Sequence, residues 1–125
     1  MTSIQNVGQR LPEQFLESLG KQLKLPVGLR TDGSMVSLGE ILTSGGDALL
    51  WPELEMPQRA YITAKRIELQ PKFNMTFIGT GTVGKNQAIE EVKAQSRIGL
   101  RLIDIENRLL TKLLSEIKEQ ADRIQ

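Results

Sequence analysis

Two side chains that carry much of protein chemistry are missing. The chain of 125 residues holds no cysteine and no histidine. Without cysteine there is no disulfide, no thiolate nucleophile and no thiolate zinc site. Without histidine the usual near-neutral general base, the commonest transition-metal ligand and the usual physiological pH switch are gone. Ser-His-Asp and Cys-His mechanisms are therefore excluded. An enzyme built on this chain would have to work with carboxylates, lysine, tyrosine, a carboxylate-bound metal or a cofactor, and nothing in the sequence by itself requires a cofactor.

Aromatic residues are scarce, at 4%, which argues against the stacking platforms that hold single-stranded nucleic acid. An excess of charge of one sign is also lacking. The 16 basic and 15 acidic residues leave a net charge of +1, so no global field draws the chain to nucleic acid or to an anionic membrane. No stretch approaches the ~20 apolar residues of a membrane span. The opening MTSIQNVGQRLPEQF lacks the apolar core of a signal peptide. The expected location is the cytoplasm, with no membrane partner.

What the sequence does contain points to a globular chain. Hydrophobic residues at 39% and charged residues at 25% are ordinary for a folded domain and unlike a disordered one. The length fits a single domain over 1–125, which buries roughly two-thirds of its unfolded surface and so folds without a covalent staple.

Residues 1–10 are polar and aperiodic and read as a loose arm. Phe15, Leu16, Leu19 and Leu23 recur at helical spacing after Pro12, predicting a short helix over 12–23 that Gly20 weakens. Val27 and Leu29 begin an extended piece, and Thr31-Asp32-Gly33 is a turn signal. Ser37 followed by Glu40 matches a capping box, predicting a helix over 38–43. Pro52 and Pro57 argue against a regular element over 47–58, where Trp51 reads as a buried anchor.

In AYITAKRIEL, residues 60–69, Tyr61, Thr63, Lys65 and Ile67 alternate with Ile62, Ala64, Arg66 and Glu68, the pattern of a strand. FNMTFI at 73–78 predicts a second strand, and the two would pair as an antiparallel hairpin over about 60–78. A helix is expected at 87–95. Ile98, Leu102, Ile105, Leu109, Leu113 and Ile117 then recur every three or four residues, with Leu110, Ala121 and Ile124 widening the stripe, and predict one amphipathic helix over 98–124. The expected class is α+β: a small antiparallel sheet packed with helices, ending in that long helix.

One segment matches templates that bind phosphate. Gly79, Gly81 and Gly84 satisfy G-x-G-x-x-G. Gly79, Gly84 and Lys85 satisfy G-x-x-x-x-G-K, but Asn86 replaces the Ser or Thr that would hold Mg²⁺. Glycines over 79–86 would let the backbone approach an anion, the following helix would present its N–H groups, and Lys85 would add a charge. On the dinucleotide template Asp104 or Glu106 stands near the position of the ribose-binding acid. Against this, too little chain follows for further strand–helix units, and a preceding hairpin strand conflicts with a parallel crossover. The plain alternative is a glycine-rich connector. No carboxylates converge: Glu90 and Glu91, and Asp104 and Glu106, splay apart on helices.

Over 59–101 the basic residues Arg59, Lys65, Arg66, Lys72, Lys85, Lys93, Arg97 and Arg101 outnumber Glu68, Glu90 and Glu91. A nucleic-acid face through Lys65, Arg66, Lys72, Lys85 and Arg97 is one reading; a normal solvated surface is the plainer one.

A helix over 98–124 would be roughly 40 Å long, longer than a small domain is wide. Its apolar stripe would be left in water unless a partner covers it, and Leu109, Leu110, Leu113 and Ile117 form the expected contact set. A helix wholly inside the chain's own core is the competing reading. The expected function is a non-catalytic structural or interaction module, or a small subunit of a larger assembly, that joins a protein partner or itself through this helix. The alternatives are phosphate or nucleotide binding through Gly79, Gly81, Gly84 and Lys85, and nucleic-acid binding through the basic segment.

Overall fold

The computed structural model describes residues 4–44, 46–71, 74–77, 79 and 81–123. They form two compact units, one from 1–54 with 108–125 and the other from 55–107.

In the first unit Ile4 and Val7 are buried. Asn6 takes a left-handed φ of 58°, and its N–H donates to the Ile41 carbonyl at 2.8 Å. The described part of the expected loose arm is therefore packed: two apolar residues three apart suffice to anchor a short polar stretch once the backbone turns between them. Helix α1 covers Glu13–Leu19 and stops where Gly20 adopts φ +50°, a conformation that costs glycine nothing. The chain continues as a 3-10 turn over Gly20–Lys24.

Strand β1, Pro26–Leu29, is buried throughout. It lies between β2, Met35–Ser37, and β3, Leu49–Leu50, in an antiparallel sheet of order β2-β1-β3. A Cβ at Gly28 would stand 2.5 Å from the Leu49 carbonyl oxygen, so the central strand admits β3 only because that residue has no side chain. In the β1–β2 turn the Asp32 carboxylate accepts from the Ser34 hydroxyl at 2.6 Å and from its N–H at 2.9 Å. These two bonds favour the ionised form and hold the carboxyl below its ordinary range.

The expected capping box forms. Glu40 N–H donates to Ser37 Oγ at 3.2 Å and Ser37 N–H to Glu40 Oε1 at 3.3 Å, opening helix α2, Leu38–Thr43. Trp51 is fully buried in a 3-10 turn over Trp51–Glu53.

The second unit carries the main correction. Residues expected as a strand at 60–69 lie in helix α3, Met56–Glu68, and the hairpin forms further along the chain. Pro57 sits in the first turn of α3, where a missing N–H is harmless. Glu55 and Gln58 close a capping box there. Ala60, Thr63, Ala64 and Ile67, all buried, recur at three and four residues and seat one face of the helix. The α+β class stands, with antiparallel β4, Asn74–Phe77, and β5, Gly81–Gly84, as the hairpin. Met75 pairs with Val83 and Thr76 with Thr82, the two threonine hydroxyls lying 3.3 Å apart across the strands.

Thr63 Oγ1 is buried and, among the described residues, has no hydrogen-bond partner. An orphaned buried hydroxyl costs about 1–3 kcal/mol. Thr63→Val keeps the shape and removes the polar atom, so the variant is expected to be more stable by about 1 kcal/mol. Urea unfolding checks this; a loss of stability would show that the hydroxyl has a partner in solution.

Helix α4, Lys85–Lys93, packs against α3. A tight corner joins it to α5, Arg97–Arg123, the long helix expected from the periodicity; Ile124 lies outside the described residues. Gln95 takes φ +50° in the corner. Ser96 Oγ accepts from Gly99 N–H at 3.1 Å, in the manner of an N-cap, and donates to the Glu91 carboxylate. No helix of the described residues is long and apolar enough to cross a membrane.

Candidate functional site

The three glycines of the phosphate-binding templates take three different structural roles. Gly79, at φ +82°, lies in the turn between β4 and β5, and Gly81, at φ +88°, opens β5. Gly84 ends β5 and caps α4 at φ −82°. The strands that flank the turn are antiparallel, so the segment is a hairpin leading into a helix and not the single strand–loop–helix of the dinucleotide and triphosphate templates. Lys85 Nζ donates to the Gln70 carbonyl at 2.6 Å, which ties the start of α4 to the end of α3.

The basic segment is divided among several elements. Arg66 is 0% exposed, so it cannot belong to a nucleic-acid face; its place there is corrected. Its Nε donates to Glu106 Oε2 on α5 at 3.1 Å. Burial pulls the guanidinium below its ordinary pKa, opposed by the Glu106 carboxylate, and the group remains a cation. Lys65 pairs with Glu68 at 3.5 Å, and Arg59 Nη1 donates to Asn107 Oδ1 at 3.3 Å. Lys93, Arg97 and Arg101 are exposed, and Lys72 lies outside the described residues. Among the described residues no three acidic side chains come together as a metal site would need.

The apolar residues of α5 fall into two rows. Ile103, Leu110, Leu114, Ile117 and Ala121 are buried, repeating at the three- and four-residue steps of one helix face. Of the expected contact set, Leu110 and Ile117 therefore belong to the chain's own core. Ile105 and Leu109 lie on the other side and remain 45% and 41% exposed, with Leu113 half-buried beside them. In the first unit Leu109 and Leu113 border a shallow groove of about 520 Å³ with Gln22, Arg108, Lys112 and Glu116. In the second unit Ile105 and Arg101 border another of about 670 Å³ with Met75, Thr76 and Phe77. Both grooves are open surface depressions flanked by charge, the form of an interaction surface more than of an enclosed ligand pocket.

Sequence reasoning assigned Leu109 and Leu110 to one set, although adjacent helical residues point about 100° apart. It overlooked Ile103 and Leu114 as core. The break in apolar character at Lys112 and Glu116 is the signal that separates the rows, since both flank Leu109 and Leu113 and neither interrupts the buried face. Compared with known proteins, the chain matches no family model, no curated protein and no solved structure.

Proposed function

We propose that the protein is a non-catalytic interaction module, a small subunit that associates with further copies of itself through the exposed row of α5. The observation behind this reading is that Ile105 and Leu109 remain 45% and 41% exposed on α5, with the half-buried Leu113 beside Leu109. Full burial of a Leu or Ile side chain contributes about 1.5–3 kcal/mol, and for Ile105 and Leu109 a good part of this is unrealised within one chain. The charged rim of Arg108, Lys112 and Glu116 suits the periphery of a protein interface, where water keeps access.

The test is the native mass. Light scattering is expected to give a mass above that of one chain for the parent protein. Leu109→Glu combined with Leu113→Glu should return it to a single chain, with the helical circular-dichroism signal retained because neither side chain is in the core. A monomeric parent, or an unchanged mass in a well-folded variant, would refute the reading.

A further inference from the structure

We infer that the free edge of β4 is a docking site for an extended, acidic segment of a partner protein, which adds to the β4–β5 hairpin as a third strand. The site lies within the second unit and goes beyond the self-association proposed above. Among the described residues β4 pairs with β5 alone. In a strand paired on one side, alternate residues turn their N–H and C=O groups outward, where a further strand can meet them. A groove of about 670 Å³ follows this edge. Successive side chains of a strand point to opposite faces, so a depression bordered by Met75, Thr76 and Phe77 together runs along the rim of the strand and not across one face. Among the described residues β5 contributes nothing to it, and Arg101 and Ile105 of α5 form its far wall.

The chemistry of rim and wall selects the occupant. β4 reads Asn-Met-Thr-Phe and pairs in unbroken register, so it carries no charge, proline or bulge of the kind with which edge strands refuse an added one. Its four residues offer a short ladder, and side-chain contacts must supply much of the affinity. Ile105 is 45% exposed and Met75 half-buried, which gives apolar contact to alternate residues of a strand laid beside them. The charge bordering the groove is a cation. Arg101 is exposed, and no acid pairs with it among the described residues. Arg97, also exposed, stands one turn earlier on the same helix face. Of the acids nearest along α5, Glu106 is paired with Arg66 and Asp104 does not border the groove. A carboxylate flanking apolar residues in the docked strand completes the site, in the charge-assisted pairing that suits a guanidinium.

The probe is the peptide Glu-Val-Thr-Val-Thr-Val-Glu, amidated at its C-terminus and bearing an uncharged dye; acids at both ends place a carboxylate toward Arg101 in either strand direction. Fluorescence anisotropy is expected to show saturable binding that weakens about tenfold when Lys replaces both Glu, or when the protein carries Arg101→Glu. The Arg101→Glu protein should prefer the Lys peptide, a reversal that loss of the fold would not produce. N-methylation at alternate residues blocks one edge of a strand, so of two peptides methylated on opposite edges one should lose binding and the other keep it. The Leu109→Glu, Leu113→Glu variant should bind as the parent does, because neither position borders the groove. No saturable binding up to about 1 mM peptide, equal affinity for the Glu and Lys peptides, or indifference to both methylation patterns would overturn the inference. Binding by the parent that disappears in the Leu109→Glu, Leu113→Glu variant would place the peptide on the other groove of α5 and overturn it too. Self-association is decided separately, by the native mass.

Discussion

Gly99→Ala is expected to destabilise the protein by about 3 kcal/mol or more, although alanine is the better helix former by about 1 kcal/mol. A Cβ at position 99 would stand 2.0 Å from the Glu91 carbonyl oxygen, 2.6 Å from its carbon and 2.9 Å from Val92 Cα. All three are backbone atoms of α4, so no side chain can rotate away. The two helices would have to separate, and this would also strain the Ser96 contacts that form the corner. Overpacking of a well-packed site costs about 1–3 kcal/mol, occasionally more, and a clash against rigid backbone belongs at the upper end. Gly84→Ala is the control. Its φ is −82° and its Cβ would meet only Asn74 Oδ1, at 3.5 Å, so the expected loss is no more than about 1 kcal/mol, that of alanine at a helix N-cap. Urea unfolding of both variants checks the contrast. Equal stability of the two would show that α4 and α5 do not cross as closely as described.

The second large effect is expected at the buried ion pair, and it is asymmetric. Glu106→Leu leaves the fully buried Arg66 guanidinium without its carboxylate and should cost about 3–5 kcal/mol. Arg66→Met should cost less, because the Glu106 side chain is 13% exposed and can regain some water, while methionine retains much of the arginine stem's packing. With both changes together, most of the loss should be recovered, since replacing a buried pair with apolar residues of similar volume is often neutral. A double-mutant cycle from thermal or urea unfolding measures the coupling. Additive losses would show that the pair is not coupled and that each residue acts through other neighbours.

What the sequence displayed depended on how far the deciding interaction reached along the chain. The Ser37–Glu40 capping box spans three residues and was readable, as was the apolar repeat that builds α5. AYITAKRIEL was ambiguous: β-branched Ile62, Thr63 and Ile67 suit a strand, while the same letters place Ala60, Thr63, Ala64 and Ile67 on one helical face. Pro57 decided in favour of helix, being a first-turn residue, yet in sequence it resembles a breaker. The Arg66–Glu106 pair joins positions forty apart, and neither residue carries a local mark of burial. On α5 the extent of the apolar surface was legible, but its division into a buried row and an exposed row was not. That division depends on which face the rest of the fold covers.

The order in which the units are built has a consequence for synthesis. Residues 1–54 belong with 108–125, and 55–107 intervene. On a ribosome adding about 5–20 residues per second, the three-stranded sheet and α2 emerge several seconds before Leu110, Leu114 and Ile117 are made. During that interval the first unit lacks the helix segment that completes it, whereas much of the second can form from neighbouring elements as they appear. The nascent first unit is therefore the part of the chain with most need of a chaperone, and synonymous changes that slow decoding between 55 and 107 would lengthen its exposure.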